Sequence, residues 1–336
     1  MRILRFVGRR LLQLIPVLLG VIVLTFILVR VLPGDPIRSI LGPNATDADY
    51  AAAQARYGLD KPLWQQFLDY LGGLFTGNLG TSIQSGNSVS SELALRLGPT
   101  LELVIIAMVI SILLASWLGI RSARRAGRWD DHGLRVTALV GNSIPEFWLG
   151  LVVILVGYSA LGWFPAPSGR VDPDTNLTPI TGADAFDALI TGNMPALWSS
   201  VQHLVLPVLT LTVVTVAPLL RSVRASALEV LHSEAYTAAS AHGLPEKTLE
   251  RGYLVRAALV RLPTLAALVF GTAIGSTVLI EYVFSWQGFG QWTLRGLQYR
   301  DYPVIQASVL IVGIGYVLVF LIADVIHAAL DPRVRI

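Results

Sequence analysis

The sequence predicts an all-α membrane protein of six transmembrane helices. Three observations lead there. Of 336 residues, 54% are hydrophobic and 14% charged, where a soluble domain carries about 25% charge to clothe its surface; mean hydropathy is +0.63. Apolar runs at about 11–32, 100–121, 136–162, 202–222, 264–284 and 304–330 each approach or exceed the roughly 20 residues that cross a hydrocarbon core as a helix. Lys and Arg are divided unevenly among the segments that join those runs, as the enrichment of cytoplasmic loops in these residues requires.

The first run follows Arg2, Arg5, Arg9 and Arg10. Its apolar core is longer than that of a secretory signal, and LPGDP follows in place of a small-residue cleavage site, so a retained helix is expected. An outer loop, 33–99, comes next. Within it Leu63, Phe67, Tyr70, Leu71 and Leu74 recur at helical spacing between Pro62 and Phe75, which predicts a short amphipathic helix. That helix could lie on the outer membrane face or pack on the ends of the bundle, and the two are compatible. The second and third spans follow. The loop from Ser168 to Asn193 is rich in Asp, Thr, Gly and Pro and is expected to be irregular. Pro16, Pro207 and Pro218 fall inside spans as tolerated kinks.

With the N-terminus inside, segments 1–10, 121–135, 221–261 and 333–335 hold four, five, six and two basic residues, while outer segments 34–98, 165–201 and 285–303 hold four, one and two. Both termini are therefore expected in the cytoplasm, which needs an even number of spans.

The polar segment 223–262, between the fourth and fifth spans, is too polar to cross and too long for a mere connector. SEAYTAASAHG is rich in helix formers. Gly243 suits a helix end in the left-handed region, Leu244 supplies a closing apolar contact, and His242 suits the negative end of the dipole. Pro245 fits the first position of a second helix, with Glu246 in its first turn. Two short helices so joined would form a compact knob whose small residues Ala238, Ala239, Ala241 and Gly243 let a partner's groove approach closely. Physics alone leaves a solvated loop without a partner equally open.

Nine segments in order carry a resemblance. RRLLQLIPVLLGVIVLTFILVRVLPGDP opens the chain, and YGLDKPLWQQFLDYLGGLFTGNLGTSIQSG runs from Tyr57 to Gly86. SIPEFWLG, LGWFP, HLVLPVLTL, RSVRASALEVL, YVFSWQGFG, RDYPV and ALDPRVR follow. Over nearly its whole length the chain resembles the dipeptide and oligopeptide permease family of ABC importers. The resemblance implies the type I importer permease fold and a non-catalytic, pore-forming subunit in the cytoplasmic membrane. It further implies a second homologous permease, two ATPase domains that bind the ATP and magnesium, an extracytoplasmic binding protein and no cofactor in this chain. In that family the knob docks the ATPases through Glu-Ala-Ala, three residues, then Gly. TAASAHG fits with Thr237, Ala238, Ala239 and Gly243, Thr237 standing where the family has Glu. Ala241, Leu244, Pro245 and Glu246 complete the implied coupling site. Di- and oligopeptides are the implied cargo, and nickel complexes and glutathione are carried by the same family.

Ionisable residues inside spans are costly and call for a role. Glu146, midway in the third run just after Pro145, which should kink it, and Asp324, in the last, are candidates for the translocation path. A structural pairing with a neighbouring helix or a partner permease is the alternative for both. A membrane-embedded hydrolase is disfavoured: five histidines include no HExxH, and there is no cysteine. No Walker-type loop is present. An autonomous channel or secondary transporter would leave the 223–262 knob without a purpose.

Overall fold

The computed structural model describes residues 2–31, 35–41 and 45–330; positions 32–34 of the LPGDP segment and the terminal DPRVR lie outside the described residues. Every regular element among the described residues is helical. The chain opens with α1 (Arg2–Val31), then three shorter helices, α2 (Pro36–Leu41), α3 (Asp47–Tyr57) and α4 (Leu63–Phe75). Next come α5 (Val89–Arg124), α6 (Trp129–Ser143) and α7 (Glu146–Ile154), the last continued by a π-helical turn to Ala160. A short α8 (Asp184–Thr191) precedes α9 (Met194–Leu231) and α10 (Glu234–Ala241). The chain then forms α11 (Glu246–Thr248), a π-helical stretch (Leu249–Val255) and α12 (Arg256–Leu259), which run on as one rod. α13 (Leu262–Val283), α14 (Phe289–Gln298) and α15 (Tyr302–Leu330) complete it.

Four of these, α5, α9, α13 and α15, are long and apolar enough to cross a membrane unbroken. α6 and α7 reach that test only together, across a bend of 103°. The break falls at Pro145, which stands outside α7 in extended conformation: proline disfavours helical backbone in the residue before it. α1 is apolar over Ile15–Val31. The helices outrun the apolar runs because their polar ends continue past the hydrocarbon. At 36 residues α5 is about 54 Å long, against a core of roughly 30 Å.

The α5–α9 seam is the centre of the fold. α5 presents Leu103, Ala107, Ser111, Ala115 and Gly119, four apart and all buried. Leu211, Thr215, Leu219 and Val223 meet them from α9. Between apolar helices in lipid, packing and buried hydrogen bonds replace the hydrophobic drive, so small residues set the approach. At Gly119 the approach is complete: a Cβ there would stand 2.9 Å from Val223 Cβ. Ser111 and Thr215 share a hydrogen bond of 2.7 Å across the seam. α13 closes on the same core through Phe270, Ile280 and Phe284, and α15 packs on α13 and α1.

The amphipathic helix expected at 62–75 is α4. Phe67 meets Phe26 of α1 edge-to-face at 5.0 Å and Tyr70 stacks on the same ring at 6.2 Å, while Leu63, Trp64 and Leu68 remain exposed. One face therefore packs on the bundle and the other is free to meet the bilayer surface. The 168–193 loop, expected to be irregular, contains α8. Asp187 on that helix is fully buried and accepts from the N–H groups of Ile180, Thr181 and Gly182 and from the Thr181 hydroxyl, at 2.7–3.0 Å. A polar composition hid this element because its acids fold the loop.

Candidate functional site

The polar segment between α9 and α13 forms a projecting turn. Ser233 caps α10 by accepting from the Tyr236 N–H. The helix ends in a paired turn: the Gly243 N–H donates to Ser240 O at 3.0 Å and the Leu244 N–H to Ala239 O at 3.4 Å. Gly243 has φ +75° and no neighbour within 4 Å of a Cβ built on it, so its glycine serves conformation and not close packing. Pro245 is extended (ψ 141°) and stands one residue outside the helix that Glu246 begins. The second helix is also longer than the short one expected, since α11, the π-helical stretch and α12 are continuous to Leu259. Between Thr237 and Thr248 only Ala239 is buried. Thr237, Ala238, Ala241, Gly243, Leu244, Pro245 and Glu246 all lie open on one projection.

That projection is fixed at its base. Leu254 and Ala258 pack with Ala123 of α5 and Ala227 of α9. Arg124, at the end of α5, bridges Glu250 at 2.5 Å and Glu246 at 3.0 Å. One turn away, Arg224 of α9 donates through Nε and Nη2 to both oxygens of Asp131 on α6, each at 2.8 Å. The Ser122 hydroxyl of α5 donates to the same carboxylate, which is fully buried. Three helices thus converge on one bidentate pair beside the knob. Sequence reasoning missed it because Asp131 and Arg224 are 93 positions apart and each reads alone as an ordinary polar flank.

The two candidate path residues are not brought together. Glu146 opens the first turn of α7, directly after the bend that divides the α6–α7 pair. It is half-buried and has no hydrogen-bond or ion-pair partner among the described residues. Asp324 is half-buried on α15 and is not without a partner. α7 packs on α9 and α13, and α15 on α13 and α1.

Comparison with known proteins decides the family. Residues 115–336 match the family described as binding-protein-dependent transport system inner membrane component, and residues 3–104 match its N-terminal counterpart. The chain belongs to this family. It is 37% identical over 332 residues to the dipeptide transport system permease protein DppB of Alkalihalophilus pseudofirmus, covering 99% of each chain. It is 38% identical to the di/tripeptide transport system permease protein DppB of Pseudomonas aeruginosa, with the same coverage. The glutathione transport system permease protein GsiC of Salmonella choleraesuis is 36% identical over 332 residues, again 99% of each.

In this multi-pass permease the YVFSWQGFG segment has a physical reason for its glycines. Glu281, near the end of α13, is fully buried. It accepts from the Thr100 hydroxyl of α5 and, at 2.8 Å, from the Gln291 N–H. A Cβ on Gly288 would fall 2.4 Å from Glu281 Oε1 and from Thr100 Oγ1, and one on Gly290 2.9 Å from Val278 Cα. Just before them, Ser285 and Gln287 are held at φ +53° and +52°. Buried Trp286 donates from its indole to Pro99 O at 3.1 Å and from its N–H to Glu281 O at 2.8 Å. Such strain persists where surrounding contacts over-determine it. A glutamate inside an apolar run was the available signal for this corner.

The acids of the 168–193 loop do not form one exposed cluster. Asp184 and Asp187 are buried. Burial lifts the Asp184 carboxyl above its ordinary range, opposed by Arg170 at 3.0 Å. Burial also pushes Asp187 up, but the Thr181 hydroxyl and three backbone N–H groups outweigh it and hold the group below that range. Asp172 ties its loop to α9 by accepting from the Ser199 hydroxyl at 2.7 Å.

Proposed function

We propose that this permease forms half of the translocation pore of an ATP-driven importer for di- and oligopeptides, and that the turn at Gly243 docks the ATPases. One observation carries the docking role: the exposed, small-residue projection from Thr237 to Thr248 is rigid at its tip and pinned at its base to α5 and α9. A flexible loop would absorb motion, whereas this rod transmits it, and coupling needs an element whose equilibrium both sites bias. The peptide cargo rests on the DppB relatives at 37–38% identity. Six spans, cytoplasmic termini, a second permease of the same family, two ATPase domains and an outer binding protein complete the assembly. Glu146, at the α6–α7 bend and without a partner among the described residues, is the better of the two path candidates for meeting a peptide's ammonium group.

The test is uptake of a radiolabelled dipeptide by cells lacking the chromosomal copy of this chain. The chain restores uptake; Gly243→Asp inserts normally, fails to retain the ATPases on co-purification and restores none. Transport at the normal rate by Gly243→Asp would overturn the docking role, and saturation by a nickel chelate in place of dipeptide would overturn the cargo. Single cysteines at Gly77 and Thr175 should react with an impermeant reagent from outside; reaction only from the cytoplasm would invert the topology.

A further inference from the structure

One exposed ridge of α5 changes character along its length. Ile105, Val109, Leu113, Trp117, Arg121 and, just past the helix end, Arg125 follow at four-residue spacing, and all are exposed. Side chains four apart on a helix are neighbours, and at 3.6 residues per turn such a row winds about 40° round the axis at each step. The ridge therefore reads, in order, three aliphatic groups, an indole and two guanidinium groups. About 12 Å of helix axis separates Leu113 from Arg121. At the foot of this stripe lies a cavity of about 500 Å³ lined by Trp117, Arg121, Arg124, Arg125, Arg128 and Glu250.

The charges there are not balanced. Arg124 is taken up by Glu246 and Glu250, and Arg125 by Asp130 at 2.6 Å. Arg121 and Arg128 have no carboxylate partner among the described residues; Arg121 only approaches the Trp117 ring, at 6.0 Å. The concavity thus keeps two guanidinium groups for an anion. Guanidinium suits a phosphate's oxygens through paired N–H donors, and indoles favour the boundary between hydrocarbon and water. Trp129, 94% exposed, follows Arg128 directly in the chain.

We infer that the cavity beneath Trp117 binds the phosphate headgroup of an anionic phospholipid, whose acyl chains lie along Leu113, Val109 and Ile105. A soluble anion would need only the arginines; the aliphatic stripe leading out of the cavity selects a lipid. Arg124 is shared between this cavity and the coupling rod, so an occupied site sits against the ion pair that seats the rod. On the orientation proposed above the lipid belongs to the inner leaflet, but its binding does not depend on that orientation.

The test uses the full chain reconstituted in phosphatidylcholine vesicles doped with spin-labelled phosphatidylglycerol or spin-labelled phosphatidylcholine. The measured quantity is the preference of the motionally restricted lipid for the anionic headgroup. The wild-type chain prefers phosphatidylglycerol. Arg121→Gln with Arg128→Gln, which leaves Arg124 and Arg125 in their ion pairs, lowers that preference on the order of tenfold. Arg135→Gln with Arg251→Gln removes as much positive charge from outside the cavity and leaves the preference unchanged. Excess inorganic phosphate does not displace the lipid. Full preference in the first double variant, an equal loss in the second, or displacement by phosphate would each overturn the site. Should the first variant fold poorly, benzoylphenylalanine in place of Trp117, with every arginine intact, gives a separate reading. It cross-links phosphatidylglycerol in preference to phosphatidylcholine if the site exists, and equal capture of the two refutes it.

Discussion

The α5–α9 seam and the Gly243 turn both depend on glycine and alanine, for opposite reasons. At the seam Ala107, Ser111, Ala115 and Gly119 are small because another helix of the same chain fills the space. At the turn Ala238, Ala241 and Gly243 are small with the space in front of them open. Composition alone cannot separate the two. The difference lies in what a Cβ would meet: Val223 at Gly119, and nothing within 4 Å at Gly243. A small residue that is already covered serves the fold; one that is uncovered has no packing duty within this chain, which is the ground of the docking role proposed above.

Substitutions can break this comparison, and they are taken in order of their cost to the folded chain. Arg224→Met removes the partner of a buried carboxylate beside the seam. It should cost about 3–5 kcal/mol, seen as a large fall in the melting temperature of the purified permease, with Arg224→Lys recovering part of it. Gly119→Leu overpacks the seam and should cost about 1–3 kcal/mol. An unchanged melting temperature would show that α5 and α9 can separate freely.

Asp187→Asn removes an acceptor of four hydrogen bonds from the outer loop, for about 1–3 kcal/mol. Because the folded carboxylate lies below its unfolded value, its contribution is full above about pH 4 and is lost as pH falls further. Amide exchange at Ile180–Gly182 should quicken below that pH in the wild type and be quick throughout in the variant. Gly243→Ala should cost only roughly 1 kcal/mol, the penalty of a Cβ in the left-handed region, yet reduce uptake far more than Gly119→Ala reduces it per unit of lost stability. Glu246→Gln disturbs one exposed ion pair, worth at most about 1 kcal/mol, and should leave uptake near normal.

Much of this was legible in the chain because its signals are local. The apolar runs, the α4 face and the Gly243 stop each depend on residues a few positions apart. What escaped was set by distance. Asp131 with Arg224, and Thr100 with Glu281, join positions 93 and 181 residues apart, and neither member carries a local mark of its partner. The third apolar run was legible in part: Pro145 marks a kink in the sequence, but hydropathy adds across it and gives no measure of the 103° bend that breaks the helix there. Glu146, which stands midway in that run, is the first residue after the corner.

The seam also sets a timetable for making the protein. Ser111 and the Thr215 that satisfies it are 104 residues apart. At roughly 5–20 residues per second of synthesis, α5 is complete some 5–20 s before its partner helix exists. Throughout that interval its small-residue groove and its hydroxyls face lipid, or whatever the insertion machinery offers in place of α9. The bent α6–α7 pair and the whole outer loop must be laid down beside an unfinished helix. Newborn α5 is therefore the stage at which this permease most needs a caretaker, and slowing translation between Trp129 and Asn193 should lengthen that exposure in proportion.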